Sequence, residues 1–442
     1  MKRILFAAIA IVFVSASCGD KTAYIKEIHD PLLYCKTVKK LNDIVLENNF
    51  PPMIASRNYA YANIAAYEVI AAGDSNYISL SGQIKHLPPM PQPSKEDKID
   101  FPFAAMLAFC KVGNAVTFPE GSMDAYVEEL KQKADDAGMP SDIFEASVAY
   151  GNNVADSIMS WSKKDNYAQT RSATKYTVTT EDGRWVPTPP MYAQAVEPHW
   201  MEIRTLVLDS ASEFMPVRPP KFEPNNTNSE FYKAVMYVKQ MQADSLTDEE
   251  KHIADFWDDN PFKLNVSGHV MFGTKKFSPP GHWMNIVGII SQKQKADFST
   301  TVCAYAKASI ALFDGFISCW DEKYRSNYIR PETVINKYYD AEWRPYIQTP
   351  PFPEYTSGHA VISAAAAEVM TNIFGDNISY TDTSETEFGI APRSFTSVRK
   401  AAEEAGDSRV YGGIHYKYSC DIGNAEGKLV GQLVIQRLRM KK

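Results

Sequence analysis

The chain has 442 residues, 45% of them hydrophobic, and a formal net charge of −7. That apolar content can bury a large core in one or two domains. With an acidic balance, no basic stripe and no aromatic-basic interleaving, a general affinity for nucleic acid is excluded.

At the N-terminus, Lys2 and Arg3 precede an apolar run from Ile4 to Val14, followed by Ser15-Ala16-Ser17-Cys18. Residues 1–18 therefore read as a signal peptide, too short for a membrane span. The segment resembles a bacterial lipoprotein signal in which Cys18 is lipidated, although Ser15 stands where Leu is commonest. The expectation is an exported protein, in the periplasm or on the outer membrane through an N-terminal lipid anchor, with plain secretion as the alternative. The oligomeric state is left open. No later segment reaches about twenty uninterrupted apolar residues.

Helical periodicity dominates the rest of the chain. Tyr34, Val38, Leu41 and Val45 form one apolar stripe. Similar patterns predict helices over about 56–72, 101–117, 121–137, 142–163, 229–243, 283–320, 357–374 and 411–438. Two stretches lack the period: 81–100, and 164–227 with its many prolines. Loops that long are usually functional or disordered, and an ordered lid or rim over the site is expected. Strand-like alternation is brief, at Tyr176-Thr177-Val178-Thr179. The fold class is thus all-α: an N-terminal helical region (19–163), a Pro-rich loop or lid (164–227) and a C-terminal helical bundle (228–442). In the last helix Gly423, Gly427 and Gly431 recur every four residues, a groove that a neighbouring helix can approach closely.

Beyond Cys18, five cysteines remain, so at least one thiol is free, and no CxxC or zinc spacing occurs. Cys303 and Cys319 share one predicted helix and cannot pair with each other. His269 and His282, flanked by glycines, invite a metal reading with Asp258 or Asp259, but their spacing matches no compact ligand pattern.

The chemistry concentrates in three segments in fixed order: Lys323-x6-Arg330-Pro331, Ser357-Gly358-His359, and Ser408-Arg409-x5-His415. Three cations and two imidazoles suit a tetrahedral oxyanion, because preorganised charge lowers the barrier when charge spreads over several oxygens. Lys323, Arg330 and Arg409 supply that charge, the Arg forks gripping two oxygens each. Ser357 would cap a helix beginning at Gly358, placing its hydroxyl and nearby N–H groups at the helix's positive end. One imidazole would attack or ligate the central atom, while the other moves a proton.

These motifs resemble the superfamily that joins vanadium-dependent haloperoxidases to type-2 phosphatidic acid phosphatases and bacterial acid phosphatases. The resemblance implies that Lys323, Arg330, Ser357, Gly358 and Arg409 bind the oxyanion. It makes His415 the vanadate ligand or phosphohistidine nucleophile, and His359 the acid/base. Trp320 and Phe352 match aromatics of the halide region in the haloperoxidase branch. Weaker likeness runs upstream through Pro51-Pro52, Arg57, Phe256-Trp257, Pro279-Pro280-Gly281-His282-Trp283 and Asp314-Gly315. Two positions depart from the pattern. Thr356 stands where Pro is usual, and Ser419 replaces an Asp that holds the His415 ring, a kind of partner whose loss typically costs about 10–100-fold. Asp421 is turned away from that ring on a regular helix.

The resemblance implies a vanadate cofactor, with Lys323 polarising bound hydrogen peroxide toward halide. A phosphatase acting on a phosphomonoester through His415, needing no metal, is the second reading. A lipoprotein that binds an oxyanion or phospho-ligand without turnover is the third, and Ser419 is its main support.

Overall fold

The computed structural model describes residues 22–261, 264–267, 270–273 and 275–442. The Cys18 signal, and His269 with Gly268, lie outside the described residues. The first helices are α1 (Ala23–Ile28), α2 (Pro31–Glu47), α3 (Pro52–Gly73), α4 (Phe101–Val116), α5 (Asp124–Asp136), α6 (Ser141–Ser162) and α7 (Tyr167–Thr170). After the Pro-rich stretch come α8 (Glu230–Lys239), α9 (Asp248–Phe256), α10 (Pro279–Lys293), α11 (Phe298–Ser326) and α12 (Pro331–Tyr338). The chain closes with α13 (Gly358–Phe374), α14 (Val398–Tyr411) and α15 (Lys417–Arg437). The fold is all-α. Its described strands are two small antiparallel ribbons, β1 (Leu264–Ser267) with β2 (Val270–Gly273) and β3 (Tyr380–Asp382) with β4 (Arg393–Phe395).

The structure corrects three expectations. The helix expected over 283–320 is broken, because the Asp297 carboxylate accepts the Thr300 N–H and caps a new start after α10 ends. The helix expected from 411 begins at Lys417: Gly412 and Gly413, the latter at φ +76°, end α14 and leave a short link carrying His415. Residues 176–179 form no strand; their side chains belong to a segment tied to α11 rather than to a sheet.

At the centre lies α11, packed against α3 on one side and α13 on the other. It is long and apolar enough to cross a bilayer, yet that apolar window is wholly buried within the protein, as in the core helix of a globular fold. One continuous apolar core includes Tyr59 and Ile64 of α3, Ile310 and Phe313 of α11, and Val361 and Val369 of α13. All five described cysteines are buried and free.

The Pro-rich stretch is ordered, but as a strap along α11 rather than a lid. Asp314 accepts the N–H groups of Leu206, Val207 and Leu208 at 2.7–3.0 Å. Further along, the Val196 carbonyl accepts from Trp320 Nε1 and Tyr324 Oη, and Trp185 N donates to the Asn327 carbonyl. Each anchor satisfies a backbone group that burial would otherwise leave costly.

The glycine row of α15 does what its spacing implies. A Cβ at Gly427 would lie 1.9 Å from the Val361 carbonyl oxygen, and one at Gly431 2.7 Å from that of Ala365. Backbone therefore meets backbone along α13 and α15. That fixes the start of α13, which carries Ser357 to His359, against the link that carries His415.

Candidate active site

His415 is buried at the centre of the site, with both ring nitrogens engaged. Its Nε2 lies 3.1 Å from Arg330 Nη1 and its Nδ1 2.7 Å from Glu354 Oε1. A guanidinium can only donate, so Nε2 must accept and Nδ1 must carry the proton given to Glu354. The ring is thus held in the neutral tautomer whose Nε2 lone pair can ligate or attack. Burial, then Arg330, Lys323 and Arg409, hold its pKa well below the usual imidazole range.

Glu354 is the residue that sequence reasoning missed. It does from the 351–356 loop what an Asp at position 419 would do from α15. Its Oε1 also accepts the Tyr416 N–H at 3.1 Å. Burial pushes its pKa up to about 7, opposed by Arg330 and Lys323. Ser419 makes no hydrogen bond to the His415 ring; its buried hydroxyl has no partner among the described residues. Asp421 pairs with Lys417, away from the ring. The only clue in the sequence was an acid next to Pro-Phe-Pro, with no spacing that pointed at His415.

Lys323 also departs from expectation. Its ammonium donates to the carbonyls of Pro353, Glu354 and Thr356 at 2.9, 3.0 and 2.5 Å, which uses all three of its protons. Burial lowers its pKa to about 8. Lys323 therefore staples the loop that presents Glu354 and adds positive potential behind His415. Thr356, unusual at its position, carries one of these carbonyls and donates its hydroxyl to Glu426 Oε2 at 2.8 Å.

Arg330 donates through Nε to the Phe352 carbonyl and through Nη1 to that of Ile414, leaving Nη2 buried without a partner. Arg409 is fixed by Ser408 Oγ and the Trp257 carbonyl. Ser357 is the N-cap residue of α13, as expected, but its hydroxyl caps no N–H and has no hydrogen bond. Gly358 lines the cavity, where an added Cβ would meet only ordinary contacts, the nearest being Trp320 at 3.5 Å. The glycine therefore leaves space on the cavity side.

His359 lines the same cavity as Arg409, His415, Trp320 and Phe352. Its Nε2 lies 3.7 Å from Asp259 Oδ2, beyond hydrogen-bonding distance, and neither atom has a hydrogen-bond partner among the described residues. Burial and Arg409 lower its pKa to about 4, against the pull of Asp259. Asp259 bonds through Oδ1 to His282 Nδ1 at 3.1 Å; burial opposes its charge, but His282 and His359 together hold its pKa below the usual carboxylate range. Trp320 and Phe352 meet with ring centroids 5.0 Å apart, so the two halide-region candidates form one aromatic wall.

Among the described residues, buried polar atoms without partners occur on His359, which lines the cavity, and on the neighbours of its lining residues: His359 Nε2, Arg330 Nη2 beside His415, and Ser357 Oγ next to Gly358. Such atoms are costly unless something pairs with them. An oxyanion with several oxygens would do so, and the donor set fits vanadate or phosphate alike.

Site and helices together define an oxyanion-handling enzyme class, and comparison narrows it. Residues 304–441 match the family model described as the VCPO second helical-bundle domain. The chain is similar to the first bacterial vanadium-dependent iodoperoxidase solved by crystallography, with 44% identity and a TM-score of 0.88, over 93% of this chain and 97% of that one. It also shares its fold with a bacterial vanadium-dependent chloroperoxidase. The holo form gives 17% identity and a TM-score of 0.66 over 88% of this chain and 92% of that one. The apo form gives 18% and 0.65, over 88% and 94%. No curated protein sequence matches. The chain belongs to the vanadium-dependent haloperoxidase family.

Proposed function

We propose that this protein oxidises halide with hydrogen peroxide, holding vanadate between His415, Arg330, Arg409, Ser357 and the Gly358 end of α13. The observation that carries the reading is the His415 ring, held as the tautomer with an unprotonated Nε2; that lone pair accepts from Arg330 Nη1 and would be released to a ligand when an oxyanion takes over the guanidinium. Bound vanadate supplies a Lewis acid that activates peroxide without changing its oxidation state. The Nε2 lone pair of His415 would ligate it, while Glu354 keeps the proton on Nδ1. Arg330 and Arg409 bring fixed charge to oxygen atoms, and Ser357 Oγ adds a neutral hydrogen bond. His359, neutral and only 3.7 Å from Asp259, accepts or returns a proton at Nε2, a contact that tightens when a ligand fills the cavity. Lys323 acts at one remove, through loop 353–356.

Iodide is the halide we assign first. The similar solved structure is an iodoperoxidase, and the Trp320–Phe352 wall favours an anion that sheds water at low cost. We further propose that the protein is exported and faces the periplasm, anchored to a membrane by lipid on Cys18. Labelled palmitate incorporation that survives Cys18→Ala would overturn that placement.

Two parallel assays of the soluble chain test the function: iodide oxidation with vanadate and peroxide, and phosphomonoester hydrolysis without metal. Vanadate-dependent iodide oxidation is expected. Hydrolysis inhibited by vanadate, with no halide turnover, would assign the same cavity to phosphoryl transfer. Tight vanadate binding with neither activity would leave a binding protein.

A further inference from the structure

Behind the oxyanion cavity, Asp259, His282 and Glu385 converge from three elements. Asp259 follows α9, His282 sits in the first turn of α10, and Glu385 lies in the 3-10 turn Ser384–Phe388. From their geometry we propose that these three side chains bind a divalent transition-metal cation of the zinc type, at a centre separate from the vanadate site.

The distances suit such a site. His282 Nδ1 lies 3.1 Å from Asp259 Oδ1 and 3.8 Å from Glu385 Oε1, and one ligand atom from each residue falls within 4.8 Å of the others. Tetrahedral bonds of about 2.0–2.2 Å place neighbouring ligand atoms roughly 3.3–3.6 Å apart, so small shifts close the shell. One imidazole nitrogen and two carboxylates, with no thiolate, select zinc, manganese, iron(II) or cobalt over copper(I). Water would complete the coordination.

A second observation points the same way. Glu385 is fully buried, yet neither of its oxygens accepts a hydrogen bond from a described residue. The Lys276 ammonium donates to the Asp255 carbonyl at 2.9 Å and makes no hydrogen bond to Glu385. A buried carboxylate without a partner is expensive, and a cation would supply one.

The outer contacts are also those of a metal-bound imidazole. His282 Nε2 lies 3.0 Å from Asp382 Oδ2, and the other oxygen of Asp382 accepts the Ser384 N–H at 2.9 Å. A carboxylate on the distal nitrogen holds a proton on Nε2, so that a metal can take Nδ1 by displacing the proton it gives to Asp259. Trp257 stacks on the ring at 4.7 Å. Asp259 would then ligate through Oδ1 while presenting Oδ2 to His359, and because Asp259 also lines the oxyanion cavity, the cation has a route inward.

The test uses the whole soluble chain without vanadate, stripped with chelator and titrated with zinc chloride. Stoichiometric zinc retained through gel filtration, a rise in Tm, and an anomalous peak at the zinc edge bounded by the three side chains are expected. Glu385→Gln should abolish retention, and Asp382→Asn should weaken zinc binding by roughly 10–100-fold. Absence of zinc on the folded wild type would overturn the proposal. So would equal retention by a folded Glu385→Gln chain, or, if that variant does not fold, an unchanged affinity in Asp382→Asn.

Discussion

The two imidazoles of the site face one cavity and live in opposite surroundings. His415 is clamped, with Arg330 on one nitrogen and Glu354 on the other. His359 keeps an unpartnered Nε2, and its side chain is 16% exposed. A ring locked in one tautomer suits permanent ligation, whereas a ring free to gain or lose a partner suits proton transfer. On the proposed function, the difference between ligand and acid/base lies in what surrounds two identical side chains.

The largest expected effect breaks the clamped side. His415→Ala should abolish vanadate binding and turnover together while the fold persists, as checked by vanadate titration and circular dichroism. Retained activity would remove His415 from the centre of the site.

Next comes acid stability, which tests whether the His359 ring is held neutral. Its folded pKa is about 4, below the ordinary 6.5, so as pH falls the unfolded chain takes the proton first. Stability is therefore full above about pH 6.5 and declines down to about pH 4, with a slope near 1.4 kcal/mol per pH unit from this ring. Urea unfolding of the vanadate-free His359→Gln chain should show a shallower acid decline than wild type. An identical slope would mean that the ring titrates normally.

Glu354→Gln should then weaken vanadate binding by roughly 10–100-fold, the usual cost of losing a carboxylate behind a ligating histidine. Ser419→Asp sharpens the point. From the motif alone, an Asp there should raise activity. In the structure it would bury a second carboxylate beside Glu354, so a loss is expected, and a gain in affinity would return the supporting role to position 419.

How far the sequence revealed this site depends on range. Lys323, Arg330, Ser357 to His359, Arg409 and His415 were legible because their motifs are local and ordered, and the glycine row of α15 because close helix packing leaves a fixed period. Glu354, Asp382 and Glu385 were not, because each acts across the fold on a ring that lies 61 to 103 residues away in sequence, His282 or His415; Asp259 was named beside His282, but its approach to His359 was not. The strap was expected only as an ordered lid or rim for a related reason: prolines mark an irregular segment but not the face it covers, and here Asp314 and Asn327 decide that face. Helix breaks at Asp297 and Gly413 hid within apolar periodicity that continued on both sides.

The smallest effect concerns the aromatic wall between the two rings. Trp320 packs on Phe352, and its indole N–H donates to the Val196 carbonyl at 3.3 Å, which ties the wall to the strap. The Phe352 carbonyl anchors Arg330, but neither aromatic side chain offers a polar atom to an oxyanion, so the contribution of the two rings should fall on halide rather than on vanadate. Trp320→Phe keeps an apolar ring but loses that anchor. It should change kcat/KM for iodide relative to bromide several-fold, leave vanadate affinity unchanged, and spare any phosphate-ester hydrolysis. Measuring halide kinetics and vanadate Kd on the same preparation separates these effects. Equal losses in both would make the wall part of the oxyanion site and collapse the division between a charged side that holds the cofactor and an apolar side that receives the halide.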